Sequence, residues 1–178
     1  MRRLWTIVVL IGVVAITAIP AKAQCTAAGA PANCSQAGSV SMTAGRVVRL
    51  QMSAGSTSLT APTTTDFDAG FNSTTGPTLT VSANAAWTLS IRASSAVWTA
   101  TNTTTGVAAR TNKPSGDLKW STSSAGVFTA LSGTDASLVT GSATASNATT
   151  LYFQTVYNWA LDTPGNYSLS VVLTLTSP

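Results

Sequence analysis

The chain has 178 residues, of which only 8% are charged, and its formal net charge is +4. It contains no His and no Glu, so every side-chain carboxylate belongs to one of its five Asp residues. This composition excludes a Ser-His-Asp catalytic site and leaves general acid and base chemistry to Asp, Lys and Tyr. We therefore expect no enzymatic activity and no cofactor.

The first 23 residues have the features of an export signal. Arg2 and Arg3 precede an apolar run from Leu4 to Ile19, and the small-residue sequence Ala21-Lys22-Ala23 follows it. A spanning helix needs about 20 apolar residues, and this run is shorter and is followed by a cleavage pattern. We predict a signal peptide at 1–23, no membrane span after cleavage, and a secreted protein of the periplasm, cell surface or extracellular space.

Removal of the signal changes the charge balance. Three of the nine basic residues lie in it, so six remain against five Asp, a net charge of +1. The six remaining cations are scattered singly along the chain, whereas a nucleic-acid surface needs a clustered basic face. Nucleic acid is therefore not an expected partner.

The only two cysteines, Cys25 and Cys34, lie near the start of the mature chain. In an exported protein an even pair of cysteines indicates a disulfide. We predict that it closes the N-terminal segment 24–38, and a ring this small would stabilise the chain by at most about 3 kcal/mol. Neither the spacing nor the absence of His fits a metal or redox pair.

Residues 39–178 are predicted to form one domain of short strands. Apolar residues alternate in runs separated by Gly, Pro, Ser, Thr and Asn, which is the pattern of an all-β sandwich or barrel. In chain order the runs are RVVRLQM, PTLTVSA, AWTLSIR, DLKWSTS, GVFTAL, TTLYFQTVY and a terminal run from Tyr167 to Thr176. The stretches NTTTGVAARTNKPSG and VTGSATASNATT are predicted as surface loops. The predicted fold class is all-β, an immunoglobulin-like antiparallel β-sandwich.

The terminal run has the most regular alternation in the chain. Its apolar face consists of Tyr167, Leu169, Val171, Leu173 and Leu175. Complete burial of such side chains stabilises by about 1.5 to 3 kcal/mol each, so the strand is expected to be paired, either in its own domain or with a neighbouring copy. We favour the first, because Gln24 to Gly38 lacks the alternating apolar face that strand donation to a neighbour requires. The next candidate donor, Val40 to Met52, is expected to serve as a first strand of its own domain.

Two short motifs resemble those of known surface proteins. The tripeptide Trp87-Thr88-Leu89 and the ending GNYSLSVVLTLTSP resemble WxL-type bacterial cell-surface domains, with Leu173-Thr174-Leu175 where a second W-x-L would stand. The ending is also similar to those of secreted pilin-like and spore-coat-U-like sandwiches, and DTPGNY resembles the Asp…Tyr corner of immunoglobulin-like modules. These resemblances imply a surface β-sandwich that binds cell wall or assembles into fibres.

Four tryptophans of the mature chain are candidates for stacking on sugar rings. Trp87 shares a strand face with Leu89 and Ile91, and Trp120 shares one with Leu118, so both are expected in the core. Trp98 and Trp159 lie in less regular stretches. We therefore expect these two to be exposed and to be the glycan contacts.

The sequence DFDAGFN resembles part of a calcium loop, with Asp66, Asp68 and Asn72 as oxygen ligands. It lacks the late bidentate acid of a complete loop. The alternative is a strand in which the two Asp face water and Phe67 and Phe71 face the core. We favour the strand and expect no metal.

These observations predict a secreted, non-enzymatic structural or adhesive protein of the cell surface or envelope. A binding module for cell wall or another glycan is the first alternative, and a pilin-like fibre subunit is the second. The expected partners are a cell-envelope polymer or neighbouring protein subunits.

Overall fold

A computed structural model of the protein describes residues 26–36 and 38–178. The chain divides into two compact units, Met1–Thr43 and Ala44–Pro178. In the first unit the described residues are all exposed and form neither helix nor strand. The proposed signal at 1–23 and Cys25 lie outside the described residues, so the signal peptide and the disulfide to Cys34 stay predictions.

Within the described residues, the second unit has ten strands, one α-helix and one 3₁₀ helix. The strands are β1 (Val48–Met52), β2 (Phe71–Ala83), β3 (Trp87–Ala93), β4 (Thr99–Thr101), β5 (Leu118–Ser121), β6 (Thr129–Ala130), β7 (Ala136–Gly141), β8 (Thr144–Val156), β9 (Asn166–Ser168) and β10 (Val171–Thr176). The α-helix, α1, spans Thr64–Ala69, and the 3₁₀ helix spans Ser115–Asp117. None of the helices in the described part of the chain is long and apolar enough to cross a membrane.

The strands pair antiparallel throughout and form three sheets. A five-stranded sheet has the order β1-β2-β8-β5-β6, a three-stranded sheet the order β10-β3-β7, and a two-stranded sheet pairs β4 with β9. This arrangement confirms the predicted all-β antiparallel sandwich.

The core lies between the five-stranded and three-stranded sheets. Strand β3 buries every second residue, and its Trp87, Leu89 and Ile91 pack on apolar residues of β2, β5 and β8. Trp87 and Trp120 are both buried, as the alternation predicted. The indole N–H of Trp87 donates to the carbonyl of Ser142, 2.8 Å away, so the ring is buried without leaving that donor unpaired.

The predictions for two stretches at the sheet ends were wrong. VTGSATASNATT, residues 139–150, is not a loop, because it contains the end of β7 and the first half of β8. Its small polar side chains are compatible with a strand since β2 supplies the backbone partners along this half of β8. At the other end of the domain, the run from Val40 to Met52 is a strand only from Val48 onward.

The predicted terminal strand is two strands. Tyr167 lies in β9, which pairs with β4, and the chain then enters β10, which pairs with β3. The expectation that this run lies in its own domain is confirmed, because its alternating apolar side chains pack against the domain core. Each of them nevertheless stays partly exposed. The two strands therefore pack on the core but leave their apolar side chains partly in contact with water.

We predict that removing residues 167–178 abolishes cooperative unfolding. The truncation deletes β10, whose Leu173 and Leu175 lie opposite Ile91 and Leu89 of β3. It therefore exposes buried side chains whose burial is comparable in free energy to the net stability of a domain. Thermal unfolding followed by circular dichroism measures the effect. A control that lacks only Ser177 and Pro178 should melt near the intact chain, and a cooperative transition in the longer truncation would contradict this account.

Candidate functional site

Asp66 and Asp68 lie on helix α1 and not on a strand, which corrects the prediction for TTDFDAGF. Thr63 caps the helix, because its hydroxyl accepts from the Asp66 backbone N–H while its own N–H donates to Asp66 Oδ2 at 2.7 Å. Gly70 ends the helix with a φ of 79°, a conformation that residues with a Cβ rarely adopt. The local pairing of Thr63 with Asp66 overrides the alternation of Phe and Asp on which the strand prediction was based.

The cap also explains the charge state of Asp66. The Thr63 backbone N–H and the Thr63 hydroxyl both donate hydrogen bonds to the carboxylate, and the backbone bond has the larger effect on its pKa. These bonds favour the ionised form and lower the pKa of Asp66 below its ordinary value.

The structure brings Trp159 together with this helix. Trp159 is 61% exposed, and its indole Nε1 donates to Asp68 Oδ1 over 3.1 Å. Its ring packs on Phe67 with a centroid distance of 4.6 Å, and Phe67 contacts Tyr157 at 5.4 Å. The prediction that Trp159 is exposed is confirmed, and a residue considered for calcium is its hydrogen-bond partner.

Trp98 is elsewhere, and the prediction that it is exposed was wrong. Its side chain is 4% exposed and belongs to the core cluster. Its indole N–H donates to the Pro114 carbonyl at 3.1 Å, and its backbone N–H donates to the Lys113 carbonyl. These partners come from a distant stretch of the sequence, so the local pattern around Trp98 could not predict its burial.

The three calcium candidates have partners within the protein. Asp66 is bonded within the helix cap, where the Asn72 side chain also reaches it, and Asp68 accepts from Trp159. Across the described residues, no group of three or more His, Cys, Asp or Glu is arranged to hold a metal ion.

A largely enclosed cluster of four charged residues joins residues 110–117 to the turn that carries Trp159. Lys113, whose side chain is 3% exposed, donates from Nζ to Asp162 Oδ1 at 2.9 Å, to Asp117 Oδ2 at 3.2 Å and to the Val156 carbonyl at 2.8 Å. Arg110 binds the same two carboxylates from Nη1, with 2.9 Å to Asp162 and 3.4 Å to Asp117. The three ammonium N–H groups of Lys113 are thus all used.

The sequence does not predict this cluster, because the cations are scattered singly along it. Arg110 and Lys113 lie within one predicted loop, Asp117 begins the predicted strand that follows it, and this close spacing was the available signal. Asp162 comes from a distant turn, and only the fold brings it to the cluster. Burial by itself would raise the pKa of Asp162, but the hydrogen bonds from Lys113 and Arg110 outweigh it and lower the pKa.

Asp162 also fixes the turn that carries Trp159. Its second oxygen accepts from the Asn158 backbone N–H at 2.8 Å, and Asn158 Oδ1 accepts from the Ala160 N–H at 2.9 Å. At the end of the turn, Tyr167 donates from its hydroxyl to the Thr163 carbonyl at 2.6 Å and accepts from the Arg110 N–H at 3.0 Å. The turn is therefore tied to the cluster on both sides of Trp159.

A separate feature, which we call the seam groove, runs along one side of the sandwich. It has a volume of about 430 Å³ and is lined mainly by Met52, Leu59, Phe153, Tyr167, Leu169 and Leu173. Strands β1 and β10 are edge strands of their sheets and contact each other beside it. Strand β10 contains neither a charged residue nor a proline, the usual protections of an exposed edge.

No protein-family model matches the sequence, and a search of curated proteins finds no match.

We predict that Asp162→Asn destabilises the protein at neutral pH by about 3 kcal/mol, because it leaves Asp117 as the one carboxylate for two poorly solvated cations, Arg110 and Lys113. The folded pKa of Asp162 is lowered below its ordinary value of 3.8, so its contribution is complete above that pH and is lost as pH falls through the folded pKa. The difference in stability between the wild type and the variant should therefore shrink below about pH 4.

Denaturant unfolding of both proteins from about pH 7 to about pH 2 measures this difference. Asp135→Asn is the control, because Asp135 forms a more exposed ion pair with Arg92 at 3.6 Å and should change stability by less than about 1 kcal/mol. A difference for Asp162→Asn that stays constant with pH would contradict the assignment.

Proposed function

We propose that the protein is a secreted, non-enzymatic structural component of the cell surface that assembles by adding a strand of one copy to the seam groove of the next. The observation that carries the proposal is the seam groove itself. A groove bordered by edge strands of two sheets offers backbone hydrogen-bonding groups for an added strand and apolar positions for its alternate side chains.

The incoming strand we propose is the segment 39–44 of a second copy, which we call the donor segment. Val40 is 100% exposed and Met42 is 88% exposed, and in an extended chain their side chains point to the same face. Six extended residues span about 20 Å, which matches the six residues of β10. The donor segment was expected to be part of the first strand, but β1 begins only at Val48.

The energetics favour occupation of the groove. Burying Val40 and Met42 against the partly exposed lining would stabilise by about 3 to 6 kcal/mol before ordering costs are subtracted. Pairing would also satisfy the outer edges of β1 or β10, which otherwise recruit other chains without specificity. A segment that leaves one copy and fills the next makes a heterologous contact, which produces a linear chain of subunits when the rotation between copies does not close into a ring.

The composition is compatible with a structural rather than a catalytic role. Four charged side chains form ion pairs with one another and so join residues 110–117 to the turn at Asp162. They are Arg110, Lys113, Asp117 and Asp162. The polar groups of the chain are mainly hydroxyl, amide and backbone groups, and its net charge is small.

We predict that the double substitution Val40→Asp and Met42→Asp abolishes assembly of the mature protein and leaves its melting temperature unchanged. Two charges cannot enter the apolar groove without a large desolvation cost, and both positions are exposed in the described structure. Val127→Asp is the matched control, since Val127 is 91% exposed and lies outside both the donor segment and the groove.

Size-exclusion chromatography with light scattering and negative-stain microscopy measure assembly across a range of concentrations. We expect filaments or a ladder of oligomers for the wild type and the Val127 control, and monomers for the double variant. Ser170→Trp tests the acceptor side, because Ser170 is exposed and lines the groove, so the larger side chain should block entry. Wild-type protein that stays monomeric at all concentrations, or a double variant that still assembles, would contradict the proposal.

A further inference from the structure

A second surface, which shares no residue with the seam groove, is formed by the exposed indole of Trp159 and the carboxylate of Asp68. Exposure of a large aromatic ring to water is unfavourable, and a ring that is both exposed and held in place is a common feature of binding surfaces. The question is what this surface binds.

The position of the indole is fixed before any ligand arrives. Phe67 packs against the Trp159 ring at a centroid distance of 4.6 Å with an angle of 30° between the ring planes. Asp68 fixes the in-plane orientation of the ring by accepting from Nε1. Beneath it, the turn is closed by the bond from the Asn158 N–H to Asp162, which is itself held by Lys113. A ligand that stacks on this ring therefore has little side-chain ordering cost to offset.

The chemistry around the ring selects among ligands. The indole presents a flat apolar surface, and Asp68 is exposed at its edge. An ionised carboxylate has acceptor sites beyond the one that Trp159 uses, so it can accept from the hydroxyl groups of a ligand. Helix α1 carries a second carboxylate, Asp66, which accepts hydrogen bonds from the Thr63 N–H and hydroxyl. The local charge thus disfavours anions.

We propose that Trp159 and Asp68 form a binding site for a neutral pyranose unit of an oligosaccharide or polysaccharide. The apolar C–H face of the sugar stacks on the indole, and a ring hydroxyl donates to Asp68. Uronic acids and phosphorylated sugars are excluded by the carboxylates of Asp66 and Asp68. In an assembled chain of subunits the site is repeated once per copy, so weak single contacts add up to strong attachment.

The test uses the full mature chain on a panel of immobilised neutral and acidic glycans. We expect binding to neutral glycans that Trp159→Ala weakens by at least about tenfold, the loss typical of removing a central aromatic contact. Leu161→Ala is the matched control, because Leu161 is 52% exposed on the same turn and should leave binding unchanged. Trp159→Phe keeps a stacking ring and is expected to retain part of the affinity.

A second measurement reports on Asp68. The NMR resonance of the Trp159 indole N–H is assigned by its loss in Trp159→Phe. This resonance should shift in a saturable manner when a neutral oligosaccharide that binds on the panel is added. Asp68→Asn keeps an acceptor for the indole but removes the charge, and we expect it to bind acidic glycans better than the wild type does. Absence of any Trp159-dependent glycan binding, or a preference of the wild type for acidic glycans, would overturn the proposal. Neither result depends on assembly through the seam groove, because no groove residue is changed.

Discussion

The structure depends on the packing of a three-stranded sheet against a wider, five-stranded one. Strand β3 is the centre of the narrow sheet, and its Trp87, Leu89 and Ile91 fill the interior from that side. Two packed sheets are a stable solution because each buries one apolar face against the other. The seam groove lies along the edge where β10, the outer strand of the narrow sheet, meets β1.

Four of the few charged residues of this protein form the cluster that joins residues 110–117 to the turn around Trp159. Breaking a buried cluster of this kind costs much more than losing an exposed ion pair, because the remaining charges are left in a medium that solvates them poorly. The position of the Trp159 indole thus depends on Asp162, which holds the turn, and on the cations that bind Asp162.

The two uses proposed for these surfaces are complementary. The seam groove would take an extended strand and so offer a route from single subunits to a continuous assembly. The other surface holds an aromatic ring beside a carboxylate, which suits the proposed recognition of a sugar. Both use side chains that bind and do not react, and both are positioned by strands and turns of a rigid sandwich. A repeated subunit that carries its own recognition site would act as a structural and an adhesive component at once.

Features set by neighbouring residues could be predicted from the sequence, whereas features set by distant contacts could not. Alternation along PTLTVSA and AWTLSIR was enough to predict buried strands, because a period of two places Leu79 and Val81, or Leu89 and Ile91, on one face whatever the partner strand. The same reasoning gave Trp87 and Trp120 as core residues. It was wrong for TTDFDAGF, which forms a helix because Thr63 and Asp66, three residues apart, cap it with reciprocal hydrogen bonds. That capping pair was visible in the sequence.

What the sequence determined by itself was the fold class and the inward face of each regular strand. The tertiary structure decided the burial of Trp98, the pairing of β10 with β3, the meeting of Lys113 with Asp162, and the contact between Trp159 and Asp68. The physical reason is the same in each case. Alternation is a property of neighbouring residues in one strand, whereas these contacts join residues that are far apart in the chain, and their partners are chosen by the way the sheets pack.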